Sequence, residues 1–234
     1  MSLNNFTTDT NKEQHTTHFA PRKGEIIEYR PKRFYSFVKR CFDILASLLA
    51  IILLSPVILV IAILIKCEDG GHIIHKRECV GKEKNYNMLK FRTMYEDADN
   101  FEKYFTTEQY EQYKKEIKLD NDPRITKIGR FLRKTSLDEL AQLFNVIRGD
   151  MSIVGPRPAV ESEIDFFGEY RDILLSVKPG ITGYWQVNGR SNCTYESGER
   201  QRLELYYVTN RSVALDIKIL FKTVFVILKG TGAK

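Results

Sequence analysis

From Ile44 to Ile65 the chain reads ILASLLAIILLSPVILVIAILI, with no charged side chain. About 22 residues of straight helix measure roughly 33 Å, enough to cross the hydrocarbon of a bilayer. The plain reading is a single spanning anchor. Two features oppose it. Ser55-Pro56 falls in the middle, and proline removes a backbone donor and clashes with the preceding turn. A kink or break there leaves two halves of about 10–12 residues, each too short to span alone. Basic residues also flank both sides: Arg30, Lys32, Arg33, Lys39 and Arg40 before the run, Lys66, Lys76, Arg77, Lys82 and Lys84 after it. Positive charge marks the cytoplasmic side. A re-entrant helix-break-helix, with the membrane break at Ser55 and Pro56, keeps both clusters on that side.

The rest of the 234 residues sorts around this segment. Residues 1–35 read as a polar arm, 36–66 as the re-entrant hairpin and 67–234 as one folded domain. No apolar stretch follows Met1, which argues against a cleaved leader. Aromatic residues at 12% and plentiful charges of both signs exclude a disordered chain. Lys+Arg 36 against Asp+Glu 30 gives net +6, which suits an anionic partner. The four cysteines form no C-x-x-C pair, as in a reduced compartment. Residues 72–94 read as a β-hairpin about Gly81. In a strand His72 and His75 would face opposite sides, which argues against a shared metal. Residues 95–118 read as an acidic stretch, then an amphipathic helix whose Phe101, Tyr104, Phe105, Tyr110 and Tyr113 suit packing or membrane contact. Val213 to Lys229 reads as an apolar helix with a thin polar stripe, for a core or a membrane interface. Together these give an α+β fold, mainly helical, with a small hairpin, the re-entrant element and interfacial helices. The chain carries no P-loop or dinucleotide-binding glycine pattern.

The chemistry concentrates between Asp122 and Pro158. Ser136-Leu137-Asp138-Glu139 opens an apolar-periodic helix that Arg148-Gly149 closes. Ser136 and Glu139 match a capping box, and acidic residues at a helix start are stabilised by its dipole. Arg124, Lys127, Arg130, Arg133 and Lys134 lie just upstream. In a helix Arg130, Arg133 and Lys134 share a face, making with free N–H groups a site for a diphosphate. Such cations would hold Asp138 ionised near neutral pH. An ionised aspartate beside a phosphate is a candidate nucleophile, and Glu139 a candidate base or metal ligand. Gly155-Pro156-Arg157-Pro158 fixes a guanidinium between prolines, and the turn-rich 179–183 and 188–190 add Arg190.

The ordered set K-R-x-F-D (39–43), the apolar segment with Ser55-Pro56, KFRTM (90–94), DPRIT-x-x-GR (122–130), SLDEL-x-QL-x-NV (136–146), GDMS-x-VGPRP (149–158), PGITG (179–183) and QVNGR (186–190) resembles one family. It is similar to the bacterial polyprenyl-phosphate phosphoglycosyl transferases of the small, monotopic type, from about residue 36 to the C-terminus. The resemblance implies transfer of a sugar-1-phosphate from a UDP-sugar to undecaprenyl phosphate with release of UMP and with Mg²⁺ as cofactor. This step initiates surface polysaccharide or glycoconjugate assembly. It implies Asp138 as the nucleophile of a covalent intermediate, Asp138 and Glu139 as the catalytic and metal-binding dyad, and Arg133, Arg157 and Arg190 as phosphate or uridine contacts, joined by Arg130 from the helical face. It implies membrane lipid as a partner, no nucleic acid, and a place on the cytoplasmic face of the inner membrane. The sugar and the oligomeric state, a homodimer included, stay open. A reading from another class is a non-catalytic membrane scaffold of polysaccharide export, in which Asp138 and Glu139 serve only as caps.

Overall fold

A computed structural model describes residues 27–116, 119, 121–189, 195 and 197–228. The first 26 residues, most of the expected polar arm, lie outside the described residues. The chain opens with one long helix, α1 (Arg33–Asp69), followed by an antiparallel hairpin of β1 (Ile74–Cys79) and β2 (Tyr86–Phe91). Helices α2 (Phe101–Tyr104), α3 (Thr107–Glu116) and α4 (Lys127–Thr135) follow. A 3₁₀ turn (Leu137–Ala141) leads into α5 (Gln142–Arg148) and β3 (Ser152–Val154). Next come α6 (Glu161–Ile164), a second 3₁₀ segment (Asp165–Tyr170) and α7 (Arg171–Leu175). The remaining elements are β4 (Gly180–Thr182), α8 (Tyr184–Asn188), α9 (Glu199–Asn210) and α10 (Val213–Leu228). The fold is α+β and mostly helical, with β3 and β4 forming a short parallel pair beside the expected hairpin.

The expected break at Pro56 is replaced by continuous helix through Arg33–Asp69. A proline at this position strips Ile52, four residues back, of its amide donor. The Ser55 hydroxyl takes over, donating to the Ile52 carbonyl at 2.8 Å. The carbonyl is satisfied within the helix, so no loop is needed to solvate it.

One stripe of α1 faces the protein: Asp43, Ser47, Ile61 and Ile65 are buried, with Leu54 and Ile58 half-buried between them. Both ends are tied to the same body. At the front, Arg40 donates to the Val146 and Ile147 carbonyls, which end α5. Asp43 accepts from Ser152 Oγ at 2.7 Å and from the Ile153 amide at 3.1 Å. Tyr35 and Lys39 both reach the Asp216 carboxylate of α10, at 2.8 and 3.0 Å, and Tyr207 of α9 donates to its other oxygen at 2.8 Å. At the rear, Ile61 and Ile65 pack with Leu89, Phe91, Leu132 and Ala141. Glu68 accepts from the Lys127 amide at the start of α4 at 2.8 Å, and Asp69 pairs with Arg92. The opposite face of α1 displays Leu45, Leu49, Ile52, Leu53 and Val60. Helix α10 does the same: Ile219 and Asp216 turn inward, while Phe221, Val224 and Phe225 stand more than half exposed. Apolar surface on this scale marks contact with lipid or protein, and α1 is long and apolar enough to cross a membrane.

After the expected acidic stretch, the one amphipathic helix expected is replaced by two, α2 and α3, up to residue 116; residues 117 and 118 lie outside the described residues. The aromatic stripe closes on Arg124, whose guanidinium lies 4.6–5.3 Å from the rings of Phe101, Phe105 and Tyr113. Arg124 is held in turn by Asp122 at 2.6 Å.

Replacing Asp43 with Ala should leave the Ile153 amide without an acceptor, while the Ser152 hydroxyl keeps only the Val154 carbonyl at 3.0 Å. The expected cost is about 1–3 kcal/mol of stability, read as a lowered thermal midpoint in detergent, with Asp43→Asn intermediate. Equal midpoints for Asp43→Ala and the parent would show that this contact does not hold α1.

Candidate active site

The acidic pair does not sit in the first turn of an α-helix, and no capping box forms. Ser136 ends α4 in the left-handed conformation (φ 56°) and its side chain makes no cap hydrogen bond. A single residue joins α4 to the next turn. It therefore cannot also take the extended backbone that an N-cap needs. Asp138 and Glu139 lie instead on the tight 3₁₀ turn before α5. The scaffold reading, which kept the pair only as caps, loses its structural basis.

The apolar side of this turn rests on α1: Leu137, Leu140 and Ala141 pack in the cluster built on Ile61 and Ile65. Its acidic side meets β2. The Lys90 ammonium lies 2.9 Å from Glu139 Oε1 and 3.5 Å from Asp138 Oδ2, so one cation serves both carboxylates. Arg133 follows from α4; its Nε donates to Thr93 Oγ1 at 2.9 Å, and the Asp138 charge partly offsets the desolvation of its guanidinium. Asp138 is only 8% exposed. Burial pushes its carboxyl above the usual aspartate range and the Glu139 charge adds to this, while Lys90 and then Arg133 pull it back. The cations therefore offset burial without reversing it.

The hairpin extends this cationic surface. Its register sets His75 opposite Lys90 and Arg77 opposite Met88, so His75, Arg77 and Lys90 share one face. Burial, then Arg77 and Lys90, lower the His75 pKa. His72 turns elsewhere and pairs with Glu96. Lys90 owes its position to Asn145, fully buried on α5. Asn145 accepts from the Leu89 amide at 2.9 Å and donates to the Asn87 carbonyl at 2.8 Å, replacing a neighbouring strand along β2.

Arg157 stands in a second cluster. The Gly-Pro loop that carries it and the 179–183 turn are one structure: the Gly155 amide donates to Thr182 O at 2.9 Å and the Gly180 amide to Pro156 O at 2.7 Å. The backbones approach so closely that a Cβ on Gly180 would collide with the Gly155 nitrogen. The Arg157 amide donates to Glu204 of α9 at 3.2 Å, and its guanidinium lies 5.9 Å from the Trp185 ring. Arg200 lies 4.2 Å from Trp185 and 3.9 Å from Tyr195. Burial lifts the Glu204 carboxyl to about 7, against the pull of Arg200 and Arg157.

The structure thus brings Asp138, Glu139 and Arg133 together and leaves Arg130 out. Arg130 is exposed, and it donates to the Ile125 carbonyl at 2.9 Å. Arg190 lies outside the described residues. Sequence reasoning assigned no role to Lys90, Thr93, Trp185, Arg200 or Glu204. The KFRTM stretch contained the signal for the first two. Among the described residues no group of three or more His, Cys, Asp or Glu is placed to hold a metal. Two adjacent carboxylates with substrate phosphate oxygens are nonetheless an ordinary donor set for Mg²⁺.

Comparison with known proteins adds a family match. The model for bacterial sugar transferases matches residues 34–230. The chain is 46% identical over 201 residues to the UDP-galactose-lipid carrier transferase of Erwinia amylovora, covering 84% of this chain and 42% of that protein. It is 43% identical over 206 residues to the undecaprenyl-phosphate galactose phosphotransferase of Salmonella typhimurium, covering 86% and 43%. It is 42% identical over 199 residues to the exopolysaccharide production protein ExoY of Rhizobium meliloti, covering 83% and 87%. The chain therefore spans less than half of the first two relatives and most of the third.

Glu204 gives a test by pH. Its carboxyl titrates near 7 in the folded chain and near the ordinary 4.5 when unfolded. The folded state then binds more protons between these values, so stability falls as pH rises through that window, by up to about 1.4 kcal/mol per pH unit. Glu204→Gln should flatten this part of the stability profile in chemical denaturation. An unchanged slope would mean that the carboxyl titrates normally.

Proposed function

The chain belongs to the bacterial sugar transferase family, and we propose that it transfers a sugar-1-phosphate from a UDP-sugar to undecaprenyl phosphate, releasing UMP, as the first step of a surface polysaccharide or glycoconjugate. The observation that carries this reading is the shared Lys90 contact: a buried aspartate, its glutamate neighbour, Lys90 and Arg133 meet on a turn packed against the apolar helix. The relatives' names supply the lipid carrier and the sugar transfer.

In this mechanism Asp138 Oδ attacks the sugar-bearing phosphorus of the UDP-sugar. An oxygen–phosphorus bond forms from the carboxylate, the bond between that same phosphorus and the bridging oxygen breaks, and UMP leaves with that oxygen. An oxygen of undecaprenyl phosphate then attacks the same phosphorus, and the Asp138 carboxylate leaves. Lys90 and Arg133 stabilise charge on the phosphoryl oxygens as it develops. Lys90 can exchange its carboxylate contacts for substrate oxygens, which frees Asp138 at the moment it is needed. Arg157 holds the nucleotide side, and Arg190 would join it. Asp138 and Glu139 would hold Mg²⁺, which when bound neutralises diphosphate charge. Glu139 beside Asp138 is the candidate base or second metal ligand.

The same reading places α1 in the cytoplasmic leaflet of the inner membrane, with both ends on the cytoplasmic side. Ties at both ends to one body support this, since a spanning helix would part them. Both substrates then meet at the membrane surface.

Purified protein with UDP-sugar alone should release about one UMP per active site, and intact mass should show a sugar-phosphate adduct on Asp138. Asp138→Asn should abolish the adduct and lower turnover by about 10³-fold or more, with folding retained; Glu139→Gln should also be severely impaired. UMP release that requires the lipid acceptor would favour direct transfer. A folded, membrane-bound chain inert with every UDP-sugar would favour the scaffold.

Topology has its own test. Single cysteines at positions 30 and 70 should both resist an impermeant maleimide in intact cells and react after lysis. Labelling of position 30 from outside would mean a true span. Replacing Ser55-Pro56 with Ala-Leu, which removes the proline and the Ser55 bond to the Ile52 carbonyl, should let the run span and expose position 30.

A further inference from the structure

A cavity of about 180 Å³ opens beside the dyad, between the turn that carries it and α10. Its inner end is polar, bordered by Ser136 and Glu139. Its walls are Leu140, Leu143, Ile181, Val187, Val226 and Ile227. Thr182, Thr223 and Gln186 also line it; the two hydroxyls are spent on each other at 2.7 Å, Thr223 donates onward to Ile219 O, and Gln186 donates its amide to Ile181 O at 2.9 Å while its Oε1 is buried without a partner. Among the described residues no lysine or arginine borders the cavity. Its outer end lies at Ile227, which is 52% exposed and continuous along α10 with bare Val224 and Phe225. The groove therefore runs from the carboxylates to the apolar outer face of the protein.

We propose that this groove seats the first isoprene of the acceptor lipid, so that Leu140, Leu143, Val226 and Ile227 steer its phosphate onto the dyad. The proposal rests on the transferase reading above. A sugar nucleotide is a poor occupant, because its diphosphate charge would be buried without a cation and most of its hydroxyls without partners against walls that are mainly alkyl. A prenyl chain ending in phosphate matches both ends: alkyl along the walls, anion toward the Lys90 and Arg133 side. Size agrees as well. An apolar cavity of about 150 Å³ takes a benzene-sized guest, so this one has room for about one five-carbon unit. The remaining isoprenes continue over Ile227 into the lipid that α10 faces. The groove is thus a terminal guide for the phosphate-bearing end, and the bilayer holds the rest of the chain.

The test uses the full chain in nanodiscs and separates the two substrates. Val226→Trp, which fills the groove, should raise the KM for undecaprenyl phosphate about tenfold or more and leave the KM for the UDP-sugar within about twofold. Val226→Ala, which only removes two methyl groups, should raise the acceptor KM about threefold and covers the case in which the indole prevents folding. A prenyl phosphate carrying a diazirine on its first isoprene should crosslink to peptides spanning 136–143 or 223–227. Unchanged acceptor KM in both variants of an active enzyme overturns the groove and leaves the transferase reading intact. A wild-type chain inactive with every UDP-sugar overturns that reading; the crosslink then decides the groove by itself, supported by label at these peptides and overturned by label confined to α1.

Discussion

The double attachment of α1 governs the rest of the molecule. An isolated apolar helix of this length would be free to leave the domain and cross a bilayer. Here its front half is fixed by Arg40 and Asp43 and by the Asp216 carboxylate, which gathers Tyr35, Lys39 and Tyr207. Its rear half is fixed by Ile61, Ile65, Glu68 and Asp69. The helix becomes one wall of the domain, apolar on its outer side and packed on its inner side. The turn bearing Asp138 is built on that inner side, so the candidate chemistry sits one helix diameter from the apolar surface.

Within the site, one lysine faces two carboxylates. Burial alone would favour a neutral Asp138, and Lys90 with Arg133 limits that tendency. The balance is local and exchangeable. In the proposed transfer, an incoming diphosphate would draw Lys90 and Arg133 toward itself, and the aspartate would lose its ammonium partner as the substrate arrives. A carboxylate held this way would be restrained until then. Asn145 underwrites the arrangement by fixing β2, because a shift of one residue along that strand would send Lys90 to the opposite face.

What the sequence disclosed follows the range of the interactions involved. The hairpin, the helix carrying Arg133, and the Gly149 end of α5 rest on patterns within about ten residues, and these were legible. The re-entrant segment was inferred from charge and from Pro56, but the break expected there does not form, because Ser55 Oγ keeps the chain helical. The capping box failed because Ser136 must serve two elements at once. Arg130 shares α4 with Arg133, but its guanidinium turns back to Ile125 O. Lys90 and Glu204 were missed because their partners are far away in sequence, at Glu139 and Arg157, and only the tertiary fold discloses them.

The contacts that fix the front of α1 also set an order of events during synthesis. Asp43 meets Ser152 across 109 positions, and Lys39 meets Asp216 across 177. At about 5–20 residues per second, a ribosome needs roughly 10–35 s to make the second span. Until the last of these partners is made, the apolar run has emerged with its front contacts incomplete. A bilayer would shelter it over that interval, and the nascent domain would then assemble on a helix that lipid already holds.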